Sequence, residues 1–221
     1  AFEEVCLKES ADVVVVVGDV NSTAACALVA KKLGIDVAHV EAGLRSHDMT
    51  MPEEINRMVT DVLSDWLFVS ERSGVLNLKA EGKPDSAIHY VGNVMVDNLY
   101  YQLARLQEGP NELKPNKPYA VLTLHRPSNV DDEDKLRGIL KAIVMISREL
   151  PIYFPAHPRT RKQMEAFGLM EELADQQVYI MPPLPYKSFL CLWKEASLVL
   201  TDSGGVQEET TALGIPCFTI R

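Results

Sequence analysis

Five consecutive valines, Val13 to Val17, end on Gly18-Asp19. A continuous β-branched run with no polar alternation reads as a strand of a parallel sheet, with both faces expected to be buried. Asn21 or Ser22 can cap the helix that follows, whose apolar stripe is Ala24, Ala25, Leu28, Val29 and Leu33. Gly34 ends that helix, and a second strand runs from Asp36 to Val40. Strand, crossover helix and strand in this order form a right-handed parallel pair.

The alternation continues. A helix from about Pro52 takes Ile55, Met58, Val59 and Val62 as its inner face. Strand 65–70, helix 71–81, strand 88–91 and helix 94–106 follow. The stretch QEGPNELKPNKP at 107–118, rich in proline and polar residues, reads as a linker. Strands then recur at 119–124, 152–156, 178–181, 198–201 and 217–220, with helices at about 132–149, 160–167 and 186–195 and one ending at Gly214. The expected fold class is α/β, with two Rossmann-like, doubly wound parallel-sheet domains over residues 1–106 and 107–221. The chain opens inside a helix without an initiator Met and stops on a strand, so both domains are expected to be incomplete pieces of a longer protein.

Composition excludes several classes. A net charge of -9 argues against a nucleic-acid backbone or an anionic membrane as partner. It leaves room for an anionic small ligand, which backbone N–H groups bind locally. Cys6, Cys26, Cys191 and Cys217 lie far apart without C-x-x-C spacing, which predicts no disulfide framework, no zinc site and a reduced, cytoplasmic setting. No apolar run approaches the length of a membrane span.

In open parallel sheets ligands bind at the carboxyl ends of the strands. Asp19, Glu41, His125, His157 and Asp202-Ser203 fall there, and each has an ordinary alternative. Asp19 fits a turn or helix cap, Glu41 a loop acid paired to Arg45, and His125 a solvent-facing neighbour of Arg126. Glu53 closes Thr50-Met51-Pro52-Glu53, which matches a capping box. His39, His47 and His89 read as incidental. The segment TDSGGVQEE at 201–209 is the second strong feature: a strand end, two glycines and a helix N-terminus make a diphosphate cradle in principle. It is neither a Walker A motif nor G-x-G-x-x-G.

GD, HVEAGLRS, PEEINR, GN-x-x-x-DNL, HRPSN and DSGGVQEE, in this order from about Asp12 to Arg221, resemble the non-hydrolysing UDP-N-acetylglucosamine 2-epimerase family of microbes. The resemblance implies a GT-B fold, two Rossmann-like domains with the active site in the cleft between them. It implies interconversion of UDP-GlcNAc and UDP-ManNAc through elimination of UDP, a 2-acetamidoglucal intermediate and re-addition with inversion at C2. No nicotinamide cofactor and no obligatory metal is implied; the partner is a UDP-sugar, and a homodimer is the assembly to test. By motif position Asp19, Glu41, Glu53 and His125 match the catalytic residues. Ser203, Gly204, Gly205 and Glu209 match positions that bind the diphosphate and ribose, and Arg57 and His157 match positions near the ligand.

The sequence departs from the family at His125-Arg-Pro-Ser-Asn129, where many bacterial members read HRRE. Pro127 and Ser128 remove a basic and an acidic side chain, which argues against the allosteric UDP-GlcNAc site that lies near this region in bacterial relatives. Three other readings remain open: an epimerase of a related sugar such as a UDP-2,3-diacetamido-uronic acid, a GT-B glycosyltransferase, and a non-catalytic nucleotide-sugar-binding fragment.

Overall fold

A computed structural model describes residues 1–106, 115 and 118–220, so most of the stretch expected as a linker, 107–118, lies outside the described residues. The chain divides into two compact units, Ala1–Val94 and Met95–Arg221.

The first unit runs α1 (Phe2–Glu9), β1 (Val13–Val17), α2 (Asn21–Lys32), β2 (Asp36–Val40), α3 (Pro52–Leu63), β3 (Trp66–Val69), α4 (Arg72–Ala80) and β4 (Ile88–Tyr90). Its strands are all parallel and lie in sequence order, β1-β2-β3-β4. Right-handed crossovers that all step the same way place their helices on one face of a sheet. Val14, Val16 and Val37 accordingly pack on Ala27 and Ala30 of α2 and Cys6 of α1, and Leu67 and Val69 pack on Leu78 of α4.

The valine run is therefore not buried on both sides. Val13, Val15 and Val17 are 40%, 63% and 55% exposed, because β1 is an edge strand whose described helices lie on one face. Two helix stripes are also turned from the expected direction. In α2 the buried residues are Thr23, Ala27 and Ala30 while Leu28 is exposed, and the helix starts after Val20 with no side-chain cap. In α3 the buried residues are Glu54, Thr60 and Asp61, while Ile55, Met58, Val59 and Val62 all face solvent. Small Ala27 and Ala30 let α2 lie close on the valines. The inner side of α3 is polar because its carboxylates find buried partners there. Buried charge is tolerated only with such pairing.

The second unit takes in α5 (Val94–Ala104), β5 (Ala120–Thr123), α6 (Pro127–Val130), α7 (Glu133–Ser147), β6 (Ile152–Pro155), α8 (Pro158–Ala166), β7 (Val178–Met181), α9 (Tyr186–Trp193), β8 (Leu198–Thr201), α10 (Gly204–Leu213) and β9 (Cys217–Thr219). The all-parallel order is β7-β6-β5-β8-β9, so winding reverses at β5 and helices cover both faces. Ala120 and Leu122 face a core with Leu136, Leu140 and Met164, while Tyr119 and Val121 face one with Leu99, Leu190 and Trp193. Leu99, fully buried in that second core, is why α5 groups with this unit and the division falls at Val94/Met95, ahead of the expected 106/107.

Candidate active site

Asp19 follows β1 in the tight turn opened by Gly18. Its Oδ2 receives two hydrogen bonds from Arg57, from Nε at 3.0 Å and from NH2 at 2.6 Å. Asn56 Nδ2 donates to the Asp19 carbonyl at 2.8 Å. Asp19 Oδ1 has no partner among the described residues, so only one carboxylate oxygen is tied down. The ordinary reading of Asp19 as a helix cap is not realised, since α2 has no side-chain cap.

Glu41 sits just past β2 with φ at 73°, and its N–H and that of Ala42 both donate to the Phe68 carbonyl, at 3.0 and 3.1 Å. Its Oε2 lies 3.2 Å from where a Cβ on Gly18 would stand, so the side chain rests against the Asp19 turn. Gly43 makes this turn feasible: its φ is 82°, and a Cβ there would stand 2.5 Å from the Gly74 carbonyl oxygen. Arg45, expected as a partner of Glu41, is bonded to Asp61 and Glu81.

Glu53 occupies the first turn of α3, exposed, with no hydrogen bond or ion pair among the described residues. The capping box is not formed either; Met51 is the N-cap and the Thr50 hydroxyl donates to Asp48 Oδ1. The acid with buried partners is its neighbour, Glu54. It accepts from the backbone N–H groups of Ser46 and His47, both at 2.9 Å, and from Arg57 NH1 at 3.0 Å. Arg57 thus bridges Asp19 and Glu54.

Burial pushes the Glu54 carboxyl up, but the Ser46 and His47 backbone donors, Arg57 and the Ser46 hydroxyl outweigh it and bring it down to about 2. Folding lowers this group from 4.5, so its stabilisation is fully present above that value and is lost as pH falls towards about 2. The shift corresponds to roughly 3 kcal/mol. Urea unfolding of wild type and Glu54→Gln is expected to differ by about this much at neutral pH, with the gap closing between about pH 4.5 and 2. A gap independent of pH contradicts the assignment.

In the second unit, His125 and Asp202 leave the ends of the neighbouring strands β5 and β8, where the winding reverses. This is where open α/β sheets bind ligands. Asp202 is fully buried and receives the backbone N–H of His125 at 2.9 Å, that of Arg126 at 2.7 Å and Asn129 Nδ2 at 3.2 Å. Its Oδ1 also lies 3.0 Å from His125 Nδ1. The carboxylate holds the loop, and the imidazole stands with Nδ1 beside it and Nε2 on the far side of the ring, so His125 is more than a solvent-facing loop residue. The His157 ring stands 6.1 Å from that of His125, and its Nδ1 accepts from Arg159 N–H at 3.2 Å. A pocket of about 160 Å³ opens here, lined by Thr123, His125, Pro155, His157, Leu184 and Phe189 among others.

Ser203 caps α10, its side chain accepting from Val206 N–H. Glu209 lies in the same helix, nearly buried, and its Oε1 receives the Tyr186 hydroxyl at 2.7 Å while Oε2 has no partner among the described residues. Burial raises the Glu209 carboxyl, Tyr186 pulls it back and Glu208 adds to the rise. Burial and Glu209 both raise the Tyr186 hydroxyl.

The two glycines differ. A Cβ on Gly205 would stand 2.7 Å from Met95 Cε, whereas one on Gly204 would meet nothing within 4 Å. A methyl at 205 would meet only the end of the flexible Met95 side chain, and no described contact requires glycine at 204. Gly204→Ala is expected to keep the unfolding midpoint in urea, since the added methyl meets nothing within 4 Å.

Four residues carry weight that the sequence did not announce, His39, Glu54, Asp61 and Tyr186, and Asp202 carries more than its strand-end position implied. Glu54 was legible from its i, i+3 spacing to Arg57, and Asp202 from its strand-end position. No local signal joins Tyr186 to Glu209. Among the described residues no group of His, Cys, Asp or Glu is arranged to hold a metal ion, and no helix is long and apolar enough to cross a membrane.

A family model described as UDP-N-acetylglucosamine 2-epimerase matches residues 1–221. A Methanocaldococcus jannaschii protein named UDP-N-acetylglucosamine 2-epimerase is 46% identical over 229 residues, covering 100% of this chain and 63% of the relative. A Pseudomonas aeruginosa protein named UDP-2,3-diacetamido-2,3-dideoxy-D-glucuronate 2-epimerase is 44% identical, with 100% and 61% covered. The crystal structure of the M. jannaschii UDP-GlcNAc 2-epimerase in complex with UDP-GlcNAc and UDP matches at a TM-score of 0.84 and 45% identity, over 99% of this chain and 62% of that one. The Neisseria meningitidis enzyme bound to UDP-GlcNAc matches at 0.85 and 29% identity, over 99% and 62%. The chain thus spans a little under two thirds of the length of these relatives, and its two parallel-sheet units are GT-B-like.

Proposed function

The chain belongs to the UDP-N-acetylglucosamine 2-epimerase family, and from that premise we propose that the protein interconverts UDP-GlcNAc and UDP-ManNAc by inversion at C2. The observation that carries this reading is the Asp19 carboxylate, fixed through one oxygen by Arg57 and open at the other, with Glu41 against the same turn. A transferase needs the nucleotide cradle; a reaction at carbon C2 needs positioned bases as well.

In the proposed reaction one carboxylate takes the C2 proton, the C1–O bond breaks, and its electron pair leaves with UDP, giving the 2-acetamidoglucal. A proton is then delivered to C2 from the opposite face and UDP oxygen re-forms the bond to C1. Proton and UDP both return, so the balance needs no oxidant, reductant or cofactor. Asp19, Glu41 and Glu53 handle protons. The α10 N-terminus with Ser203 and Gly204 stabilises the departing diphosphate, helped by His125 through Nε2, on the far side of the ring from Asp202. Gly205 packs the same helix against α5. Glu209, steadied by Tyr186, offers Oε2 to a ribose hydroxyl, and His157 faces the same ligand. Arg57 holds Asp19.

Incubating the full-length protein with UDP-GlcNAc in deuterated water tests this. UDP-ManNAc with deuterium at C2 is expected; no product and no label refutes the reaction. Transfer to an acceptor without C2 exchange would make it a glycosyltransferase. A second sugar is favoured by one finding, the 44% identity to the diacetamido-glucuronate epimerase against 46% to the UDP-GlcNAc enzyme. A panel of both UDP-sugars separates them by kcat/KM.

The protein is also proposed to form a homodimer through α2 and α3. Leu28, Ile55, Met58, Val59 and Val62 leave an apolar surface there in the isolated chain. Val59→Lys is expected to shift the full-length protein from dimer to monomer in sedimentation; a monomeric wild type contradicts the assembly.

A further inference from the structure

His39 lies in the middle of β2 and is completely buried, on the sheet face that α3 covers. Its Nε2 is 2.9 Å from the Gly18 carbonyl oxygen, and its Nδ1 is 2.6 Å from Asp61 Oδ1. Asp61 is equally buried, and its Oδ2 receives the Gly43 N–H at 3.0 Å and Arg45 NH2 at 2.8 Å. Arg45 in turn binds Glu81 through two bonds of 2.7 Å.

The partners limit where the protons sit. A carbonyl oxygen only accepts, so Nε2 carries hydrogen. One proton lies in the short contact between Nδ1 and Asp61 Oδ1, and the backbone N–H and guanidinium on Oδ2 favour its placement on Nδ1. With Asp61, Arg45 and Glu81, His39 closes a hydrogen-bonded network. A buried network of this kind holds its members in place when every group is satisfied.

What it holds are the two turns that present acids. Gly18 O belongs to the peptide that begins Asp19, and the Gly18 N–H is held by Val40 O at 3.0 Å. Gly43 N–H lies two residues beyond Glu41. The path Gly18 O, His39, Asp61, Gly43 N therefore ties the Asp19 turn to the Glu41 turn across β1 and β2.

We propose that His39 is a positioning residue: as an imidazolium paired to Asp61, it sets the spacing of the Asp19 and Glu41 carboxylates. This rests on the reading of those acids as catalytic. Asn at 39 places its amide near Nδ1 and keeps the Asp61 bond but loses Gly18; Gln reaches the Nε2 position and keeps Gly18. In the full-length protein, His39→Asn is expected to lower kcat for C2 exchange about 100-fold with KM changed less than about threefold. His39→Gln is expected to recover at least about tenfold of that loss.

Nitrogen-15 spectra of ring-labelled wild type should show hydrogen on both His39 nitrogens, whether or not the Asn variant folds. A ring nitrogen without hydrogen overturns the proposal, as does exchange at wild-type kcat in both variants. Equal loss in both variants with no recovery by Gln also overturns it, since that marks a merely structural residue. If wild type exchanges no deuterium, the proposed reaction fails instead, and the nitrogen spectra still decide the imidazolium.

Discussion

Asp19→Asn is expected to lower the rate of C2 exchange by about 10²–10⁴-fold, the usual worth of a positioned acid or base. Asparagine keeps the shape of the side chain and an oxygen for Arg57 but removes the basic lone pair from the outward position. Arg57 retains Glu54, to which NH1 is bonded at 3.0 Å, so the array should not collapse. The unfolding midpoint and UDP affinity are therefore expected to change little. The measurement is deuterium incorporation at C2 under saturating UDP-GlcNAc, beside calorimetric titration with UDP. Exchange within tenfold of wild type would remove Asp19 from the chemistry.

Asp202→Ala is expected to be the most damaging single change to stability. Asp202 is wholly buried and accepts from two backbone N–H groups and from Asn129, and its Oδ1 stands 3.0 Å from His125 Nδ1. Alanine leaves these donors without an acceptor in a place water does not readily fill. Breaking a buried charged hub of this kind costs about 3–5 kcal/mol. In a domain of ordinary stability that is a large fraction of the total. The transition of the second unit in urea should move to much lower denaturant, and His125 should lose its fixed orientation. A loss below about 1 kcal/mol would show that the loop repacks and finds other partners. Asp202→Asn should lie between, since its amide oxygen still accepts from the backbone.

Part of the candidate site was legible as positions in the sequence. Glu41, His125 and the Ser203–Gly205 turn fall at strand ends, and the order of HVEAGLRS, HRPSN and TDSGGVQEE places the chain in its family. Alternating strand and helix signals located the parallel strands of both sheets. Glu53 shows the limit. Its spacing matched a cap that does not form, while the adjacent Glu54 found the buried partners.

Helix orientation was not legible in the same way. In α3 the apolar stripe of Ile55, Met58, Val59 and Val62 is real, but it points away from the sheet. Periodicity states that a helix has two unlike faces. Which face turns inward depends on what waits there, and for α3 that is His39, Arg45 and the Ser46–His47 backbone, whose donors the Asp61 and Glu54 carboxylates accept from.

The sequence by itself determined the parallel α/β architecture, the family and the strand-end positions of the acids, because these follow from local periodicity and short motifs. Tertiary structure alone decided that α5 belongs with the second unit, that Tyr186 steadies Glu209, and that His39 and Asp61 tie two turns together. Those contacts join residues roughly 20 to 90 positions apart, where no local propensity acts and only the packed fold brings donor to acceptor.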